Sequence, residues 1–176
     1  MRSKIKVGST AVALFIASVA TIPSASAAPP DDACSLFTQA QVSDAFGFSV
    51  LAGGHPNAPD LKTCMWPQAN AAAEDRYGIT ISLQTAIDYD KSKTHTEQEE
   101  ATMKEEGDEG EDGPEITLTN ASGVGDDAYY YELVQHINLN VKKGKVSLIV
   151  EFYAPVPPEK AKAAEKALAL QIIPKL

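Results

Sequence analysis

Oxygen-bearing side chains between Asp88 and Glu99 have the spacing of a calcium-binding loop. The ligand positions of an EF-hand-like loop are occupied by Asp88, Asp90, Ser92, Thr94, Thr96 and Glu99. The central position, where an EF-hand needs Gly for a sharp turn, is Lys93, and a strand pattern rather than a helix pattern precedes the loop. We therefore interpret the segment as a helix that begins near Asp90. Weak calcium binding through Asp88, Asp90, Ser92 and Glu99 remains an alternative.

Aromatic side chains are the second group of residues that can bind a ligand. Tyr129, Tyr130 and Tyr131 are consecutive, and their rings can stack on sugars or aromatic ligands. In a strand, alternation sends Tyr130 to the opposite face from the other two, so at least one of the three is expected in the core. We predict ligand binding through these three tyrosines and Trp66.

Signatures of catalysis are missing beyond residues 1–27. That part of the chain has no Gly-x-Ser-x-Gly elbow, no Ser-x-x-Lys, no His-Glu-x-x-His and no phosphate-binding Walker loop. We predict no catalytic residue, no metal and no cofactor. An enzyme would have to assemble its site from distant positions, of which Asp126, Asp127, His136 and Tyr130 are the best candidates.

Cys34 and Cys64 are the only two cysteines of the chain. They are too far apart for a Cys-x-x-Cys redox pair, and a structural zinc site would need four ligands. In an oxidising compartment two cysteines of a small domain usually pair. We predict a structural disulfide that fastens the first helix to the strand containing Trp66.

The first 27 residues have the pattern of an export signal. Arg2, Lys4 and Lys6 precede an apolar stretch over residues 11–22, and Ala25-Ser26-Ala27 forms a small-residue cleavage site. The apolar stretch is shorter than the roughly 20 residues that a membrane span needs. We predict a signal peptide over residues 1–27 and a linker over 28–33, followed by one domain over 34–176. Cys34 lacks a lipidation signal, so the expected product is periplasmic or secreted, without a membrane anchor.

The chain is acidic, and the excess is concentrated in one segment. Removal of residues 1–27 takes away three of the 15 basic residues and leaves 12 against 24 acidic ones, a net charge of -12. This charge argues against nucleic acid and anionic membrane surfaces as partners. Residues 97–115 contain ten acidic residues and one base. We predict a polar helix over 91–106 followed by an acidic loop to residue 115.

Two further helices have clear boundaries. Thr38 and Gln41 form a capping box, Phe37 and Val42 have the spacing of a hydrophobic staple, and Gly47 suits a left-handed helix end, which predicts a helix from Gln39 to Phe46. Near the end of the chain, Pro158 suits a first helical turn. An apolar stripe predicts that this helix runs to Ile172. The stripe consists of Ala161, Ala164, Leu168 and Ile172.

Several segments alternate between apolar and polar residues, as half-exposed strands do. Such strands are predicted at residues 63–66, 79–84, 116–118 and 129–134, and a hairpin at 137–153 that turns at Lys142 to Lys145. The predicted fold class is α+β: a mainly antiparallel sheet of five or six strands, with an N-terminal and a C-terminal helix packed on one side.

The chain also resembles a family. Cys34 to Thr38, Cys64-Met65-Trp66, Gly123 to Tyr130 and Lys143-Gly144 are similar to motifs of a group of bacterial secreted proteins and lipoproteins of the domain-of-unknown-function type. Some members carry a lipobox, which this chain lacks. The resemblance implies a sheet-and-helix fold similar to PsbP-like domains and implies no catalytic residues.

Three functions remain open at this point. The first is a non-enzymatic envelope domain that binds a protein partner or a small ligand through the polar face of its sheet. The second is a small extracytoplasmic enzyme with a non-contiguous site. The third is a weak calcium-binding envelope protein. An enzyme would show a carboxylate and a histidine that converge in a pocket, whereas a binding domain would show an accessible surface without them.

Overall fold

A six-stranded antiparallel sheet organises the described part of the chain. The computed structural model describes residues 30–72, 77–106, 116–133 and 136–176, so the predicted signal peptide and the acidic loop at 107–115 lie outside the described residues. The strands are β1 (Thr63–Pro67), β2 (Gly78–Thr85), β3 (Ile116–Asn120), β4 (Asp127–Leu133), β5 (His136–Lys143) and β6 (Val146–Tyr153). They lie side by side in the order β1-β2-β6-β5-β4-β3.

The helices α1 (Gln39–Phe46) and α3 (Pro158–Ile172) both pack on the apolar face of this sheet. The Phe46 ring of α1 stacks on Phe152 of β6 with ring centroids 4.4 Å apart. On the same face, the Tyr130 hydroxyl of β4 donates to the backbone oxygen of Lys162 in α3 at 3.0 Å. The predicted α+β fold, with an N-terminal and a C-terminal helix on one side of the sheet, is therefore confirmed.

The local signals at the ends of α1 are present as predicted. The Thr38 side chain accepts from the amide of Gln41, and the Gln41 side chain accepts from the amide of Thr38. Gly47 ends the helix at φ 73°, a left-handed conformation that only Gly adopts without strain. Helix α3 also has the predicted bounds, and its four predicted apolar positions are all buried.

A third helix, α2 (Ala86–Glu106), lies on the opposite, polar face of the sheet. Its Tyr89 ring packs against Tyr129 of β4 at 5.5 Å between centroids. The prediction of a helix over 91–106 was wrong at its start, which lies at Ala86. Thr85 and Asp88 form a capping box there: the Thr85 hydroxyl lies 2.6 Å from Asp88 Oδ2 and accepts from the Asp88 amide at 3.2 Å.

A disulfide ties the N-terminal segment to the edge strand β1. Cys34 and Cys64 are bonded as predicted, and Cys64 is fully buried. Cys34 lies in a 3-10 turn (Ala33–Ser35) that precedes α1, so the bond fastens this turn, and not the first helix, to β1. The outer edge of β1 is covered by residues 50–54, because Gly54 and Met65 exchange two backbone hydrogen bonds at 2.9 and 3.0 Å. Among the described residues, no helix is both long and apolar enough to span a bilayer.

Candidate functional site

An open groove runs between α2 and the polar face of the sheet. Its volume is about 520 Å³, within the range of about 300 to 1,000 Å³ that small-molecule sites occupy. Helix α2 supplies one wall and strands β4, β5 and β6 supply the floor. The lining residues are Lys91, Ser92, His95, Thr96, Glu99, Tyr129, Tyr131, Asn138, Asn140 and Ile149.

Strand register places the floor residues in two rows. Tyr131 lies opposite Asn138 between β4 and β5, and Tyr129 lies opposite Asn140 one row further along. Ile149 of β6 continues the second row beside Asn140. Side chains along a strand alternate between the two faces of the sheet, and paired residues on neighbouring strands share a face. All five side chains therefore point to the same side of the sheet. The floor therefore combines two phenols, two amides and one aliphatic side chain.

The wall of the groove is one stripe of α2. Lys91, His95 and Glu99 are four residues apart, so they lie on one face of the helix, and all three are exposed. His95 Nδ1 lies 3.3 Å from Glu99 Oε2. The formal charges of Lys91 and Glu99 have opposite signs. The groove thus presents both hydrogen-bond donors and acceptors without a net charge when His95 is neutral.

Two ion pairs hold α2 over the sheet. Lys93 Nζ lies 2.8 Å from Asp127 Oδ2, and Lys142 Nζ lies 2.6 Å from Asp90 Oδ1. The hydrogen bond from Lys93 lowers the pKa of Asp127. Each lysine also lies 5.8 Å from the centre of a tyrosine ring, Lys93 over Tyr129 and Lys142 over Tyr89. These contacts hold α2 at a fixed distance from the sheet and so set the width of the groove.

The two groove tyrosines remain protonated phenols. Burial raises the pKa of Tyr129 and of Tyr131, and the Glu99 carboxylate adds to the rise at Tyr131. A protonated phenol both donates and accepts hydrogen bonds. Next to Tyr131, the side-chain oxygen of Asn138 is buried and has no hydrogen-bond partner among the described residues. The groove floor therefore retains hydrogen-bonding capacity that the described residues do not use.

The predicted aromatic ligand surface divides between the two faces. Tyr129 and Tyr131 line the groove. Tyr130 and Trp66 instead belong to the apolar core, where Trp66 is 1% exposed and Tyr130 is 8% exposed. The structure does not bring Tyr130 and Trp66 to the groove, because alternation along β4 and β1 turns both side chains toward the face that α1 and α3 cover.

The residues of the calcium alternative lie on a continuous helix rather than on a loop. The Thr85 side chain hydrogen-bonds to Asp88 and lowers its pKa, and Asp90 pairs with Lys142. Glu99 pairs with His95 at the other end of the helix. A helix cannot direct its successive residues to one ion as an EF-hand loop does. The structure thus does not bring Asp88, Asp90, Ser92 and Glu99 together.

The residues considered for an enzyme site are also separated. Asp127 faces Lys142 at one end of β5, whereas His136 begins β5 at the other end. Asp126 binds Lys143 and the amide of Gly144, and Tyr130 lies on the opposite face. The structure does not bring these four residues together.

Two titratable features were not anticipated from the sequence. His136 Nε2 lies 2.5 Å from Glu151 Oε1 on the polar face, beside the groove floor, and this hydrogen bond raises the pKa of His136. Glu165 is fully buried in the core. Both positions follow from patterns that the sequence contains, since hairpin register places His136 diagonal to Glu151 and helical periodicity places Glu165 on the buried stripe of α3.

A potential metal cluster is limited to one place in the described ranges. Asp32, Cys34 and His55 have ligand atoms within 4.8 Å of one another. The Cys34 sulfur is part of the disulfide and is not available as a thiolate. His55 Nδ1 lies 2.8 Å from the backbone oxygen of Thr63, so the ring fastens the loop to β1.

Comparisons with known proteins leave the family open. Neither a protein-family model, nor a curated protein, nor a solved structure matches the chain. The resemblance to bacterial secreted proteins of PsbP-like fold stays a prediction.

Proposed function

We propose that this protein is a non-enzymatic binding domain of the cell envelope, and that its ligand is a small molecule held in the groove between α2 and the sheet. The observation that carries the proposal is the groove itself: an open space of about 520 Å³ lined by phenol, amide, hydroxyl, imidazole and charged side chains. Polar sheet faces are normally solvated or covered. Here a helix stands over the face and leaves a space of ligand size.

The chemistry of the groove favours binding over catalysis. Its one histidine, His95, is exposed on the helix surface beside Glu99, and no buried carboxyl group or histidine is among the lining residues. General acid–base catalysis needs groups whose pKa values are shifted by a shared pocket. The carboxylates and the histidine that an enzyme would use are engaged elsewhere, in pairs with lysines and with Glu151.

Location in the envelope is supported by two features. Residues 1–27 have the pattern of a signal peptide, and Cys34 and Cys64 form a disulfide of the kind that persists in oxidising compartments. N-terminal sequencing of the protein from the envelope fraction tests this part. We expect a start near Ala28, whereas an acylated Cys34 would contradict it.

Amide NMR spectra test the binding function. The disulfide-bonded protein is titrated with a panel of neutral oligosaccharides, tripeptides and free amino acids. We expect at least one class to shift the amide signals of α2 and β5 around the groove, and the Tyr131→Ala variant to lose these shifts. Tyr153→Ala, which removes an exposed tyrosine outside the groove, is the matched control. Absence of groove shifts with every probe would overturn the proposal.

A further inference from the structure

We propose that the ligand of the groove is a neutral oligosaccharide, an inference that rests on the binding function proposed above. Five properties of the groove lead to this class of ligand: its charge, its hydrogen-bonding groups, its apolar surface, the strand on which it lies and its length.

The charge of the surroundings excludes anionic ligands. Lys91 is the single positively charged residue of the lining, and Glu99 balances it. Just beyond the groove, α2 continues into the acidic segment that begins at Glu97, and the chain as a whole carries a net charge of -9. A polyanionic glycan or a phosphorylated ligand would meet a repulsive field.

The hydrogen-bonding groups match hydroxyls. Tyr131, Ser92 and the two asparagines each carry groups that donate and groups or lone pairs that accept. A sugar hydroxyl also donates and accepts, so each can be satisfied by such a neighbour.

The groove also contains apolar surface in the right place. The Tyr131 ring stands beside Asn138 across the β4–β5 pair, and Ile149 stands beside Asn140 on the other side of β5. Pyranose rings have one face of C–H groups and a rim of hydroxyls. Such a ring can pack on Tyr131 while its rim faces the polar side chains of the lining.

The position of β5 argues against a peptide. Extended peptides are usually bound by adding a strand to the edge of a sheet. Strand β5 is central, and its backbone pairs with β4 on one side and with β6 on the other. The groove floor therefore offers side chains alone, which suit a ligand without a repeating backbone of amides.

The stripe on α2 sets the length of the ligand. Lys91 and Glu99 are eight residues apart, which corresponds to about 12 Å along the helix axis. This length requires more than a single sugar ring. His95 lies midway along the stripe and is exposed, so its replacement should not disturb the fold.

Calorimetry and amide NMR with defined probes test the proposal. The probes are the tetrasaccharides of β-1,4-linked N-acetylglucosamine, of β-1,4-linked glucose and of α-1,4-linked glucose, with trialanine and a sialylated trisaccharide for comparison. We expect at least one neutral tetrasaccharide to bind and to shift the amide signals of Tyr131, Asn138 and His95. Tyr131→Ala and His95→Ala should each weaken binding, the first by about tenfold, whereas Tyr131→Phe should retain most of it.

The outcomes separate this inference from the proposed function. Binding of trialanine or of the sialylated sugar in the groove, without binding of any neutral tetrasaccharide, would overturn the oligosaccharide and leave the binding function standing. Failure of every probe to shift the groove signals would overturn both. Tyr153→Ala should bind as the wild type does, since this exposed tyrosine lies outside the groove. Equal weakening in Tyr153→Ala and Tyr131→Ala would place the ligand elsewhere and overturn the inference.

Discussion

Glu165 is a carboxyl group enclosed by the apolar core. It lies on the buried face of α3, where the backbone of Phe152 is the hydrogen-bonding group beside its carboxyl. Burial raises the pKa of Glu165 to about 10, and the carboxylates of Glu151 and Glu132 act in the same direction. A carboxyl with such a pKa is protonated at neutral pH. At the residue scale, this buried carboxyl makes the stability of the fold depend on pH.

We expect Glu165→Gln to raise the free energy of unfolding by about 1 to 3 kcal/mol at pH 7. In the unfolded chain the carboxyl loses its proton near pH 4.5, whereas the folded protein holds it up to about pH 10. Between these values the folded state binds more protons, so its stability falls as pH rises. The glutamine variant lacks this contribution, because an amide does not titrate.

Urea unfolding at several pH values between about 5 and 8 measures the effect. Glu159→Gln is the matched control, since the Glu159 side chain is on the same helix and is 88% exposed. A Glu165→Gln variant whose stability parallels that of the wild type at every pH would show that the buried carboxyl is not neutral in the folded protein.

His136 gives a second test at the residue scale. The hydrogen bond with Glu151 raises the pKa of His136, and burial acts against this rise. The pair therefore stabilises the fold below the unfolded-state pKa of about 6.5, and this stabilisation is lost as pH rises through the higher folded value. We expect Glu151→Gln to lower the pKa of His136, because it removes the charged acceptor.

The titration of the His136 ring protons by NMR measures this shift. Glu99→Gln serves as the control, because Glu99 pairs with His95 and not with His136. An unchanged His136 titration curve in Glu151→Gln would mean that the imidazole is not held by this carboxylate.

At the element scale, the start of α2 depends on a single short motif. The Thr85 hydroxyl and the Asp88 carboxylate satisfy each other and the free amides of the first turn. We expect Thr85→Ala to lower the free energy of unfolding by about 1 kcal/mol, because it removes this cap. Thr102→Ala is the control, since Thr102 is exposed on the same helix and its hydroxyl bonds within it, to Gln98. Equal losses in both variants, measured by urea unfolding, would contradict a role for the cap.

The disulfide gives the second prediction at this scale. It closes a loop of 30 residues between the N-terminal segment and β1, and Cys64 is fully buried. We expect replacement of both cysteines by Ser to lower the free energy of unfolding by about 2 to 5 kcal/mol. Wild-type protein with its disulfide reduced is the control and should lose a similar amount. A double variant as stable as the oxidised protein would show that the bond does not support the fold.

Elements with local signals were predictable from the sequence, and the placement of α2 was not. Helix α1 has its capping box and its Gly47 end within ten residues, so its bounds followed from short-range chemistry. The strands alternate clearly and lie where they were predicted, with ends that differ by up to two residues. Helix α2 has no apolar stripe that identifies its packing face. Its attachment depends on Lys93 and Lys142, whose partners are 34 and 52 residues away in the sequence. Such pairs become visible only when the fold is known.

The contrast between local signals and contacts of residues far apart in the sequence also explains what was predictable about the groove. Alternation in β4 places Tyr129 and Tyr131 on one face, and at least one of the three tyrosines was expected in the core. Tyr130 was nevertheless assigned to ligand binding together with the other two. Helix α2 was predicted, but its position over the sheet was not. The sequence therefore did not show that Lys91, His95 and Asn138 line the same groove. The groove is a product of two elements that pack across a polar face, and no short motif encodes it.

At the scale of the whole molecule, the net negative charge determines how added cations change the stability of the fold. The chain has 24 acidic and 15 basic residues, and like-charge repulsion is reduced when salt screens it. Added calcium is therefore expected to raise Tm slightly even when no calcium site exists. A specific effect of calcium has to be separated from this general effect of divalent cations.

We expect millimolar calcium and millimolar magnesium to raise Tm by the same small amount, because both screen the surface and the residues of the calcium alternative are not brought together on α2. The triple variant Asp88→Asn, Asp90→Asn and Glu99→Gln should have a lower Tm in both salts, since Asp88 caps the helix and Asp90 pairs with Lys142. Its response to calcium should still equal its response to magnesium. A calcium site would instead stabilise the folded state by mass action, so a rise specific to calcium that disappears in the variant would contradict this expectation.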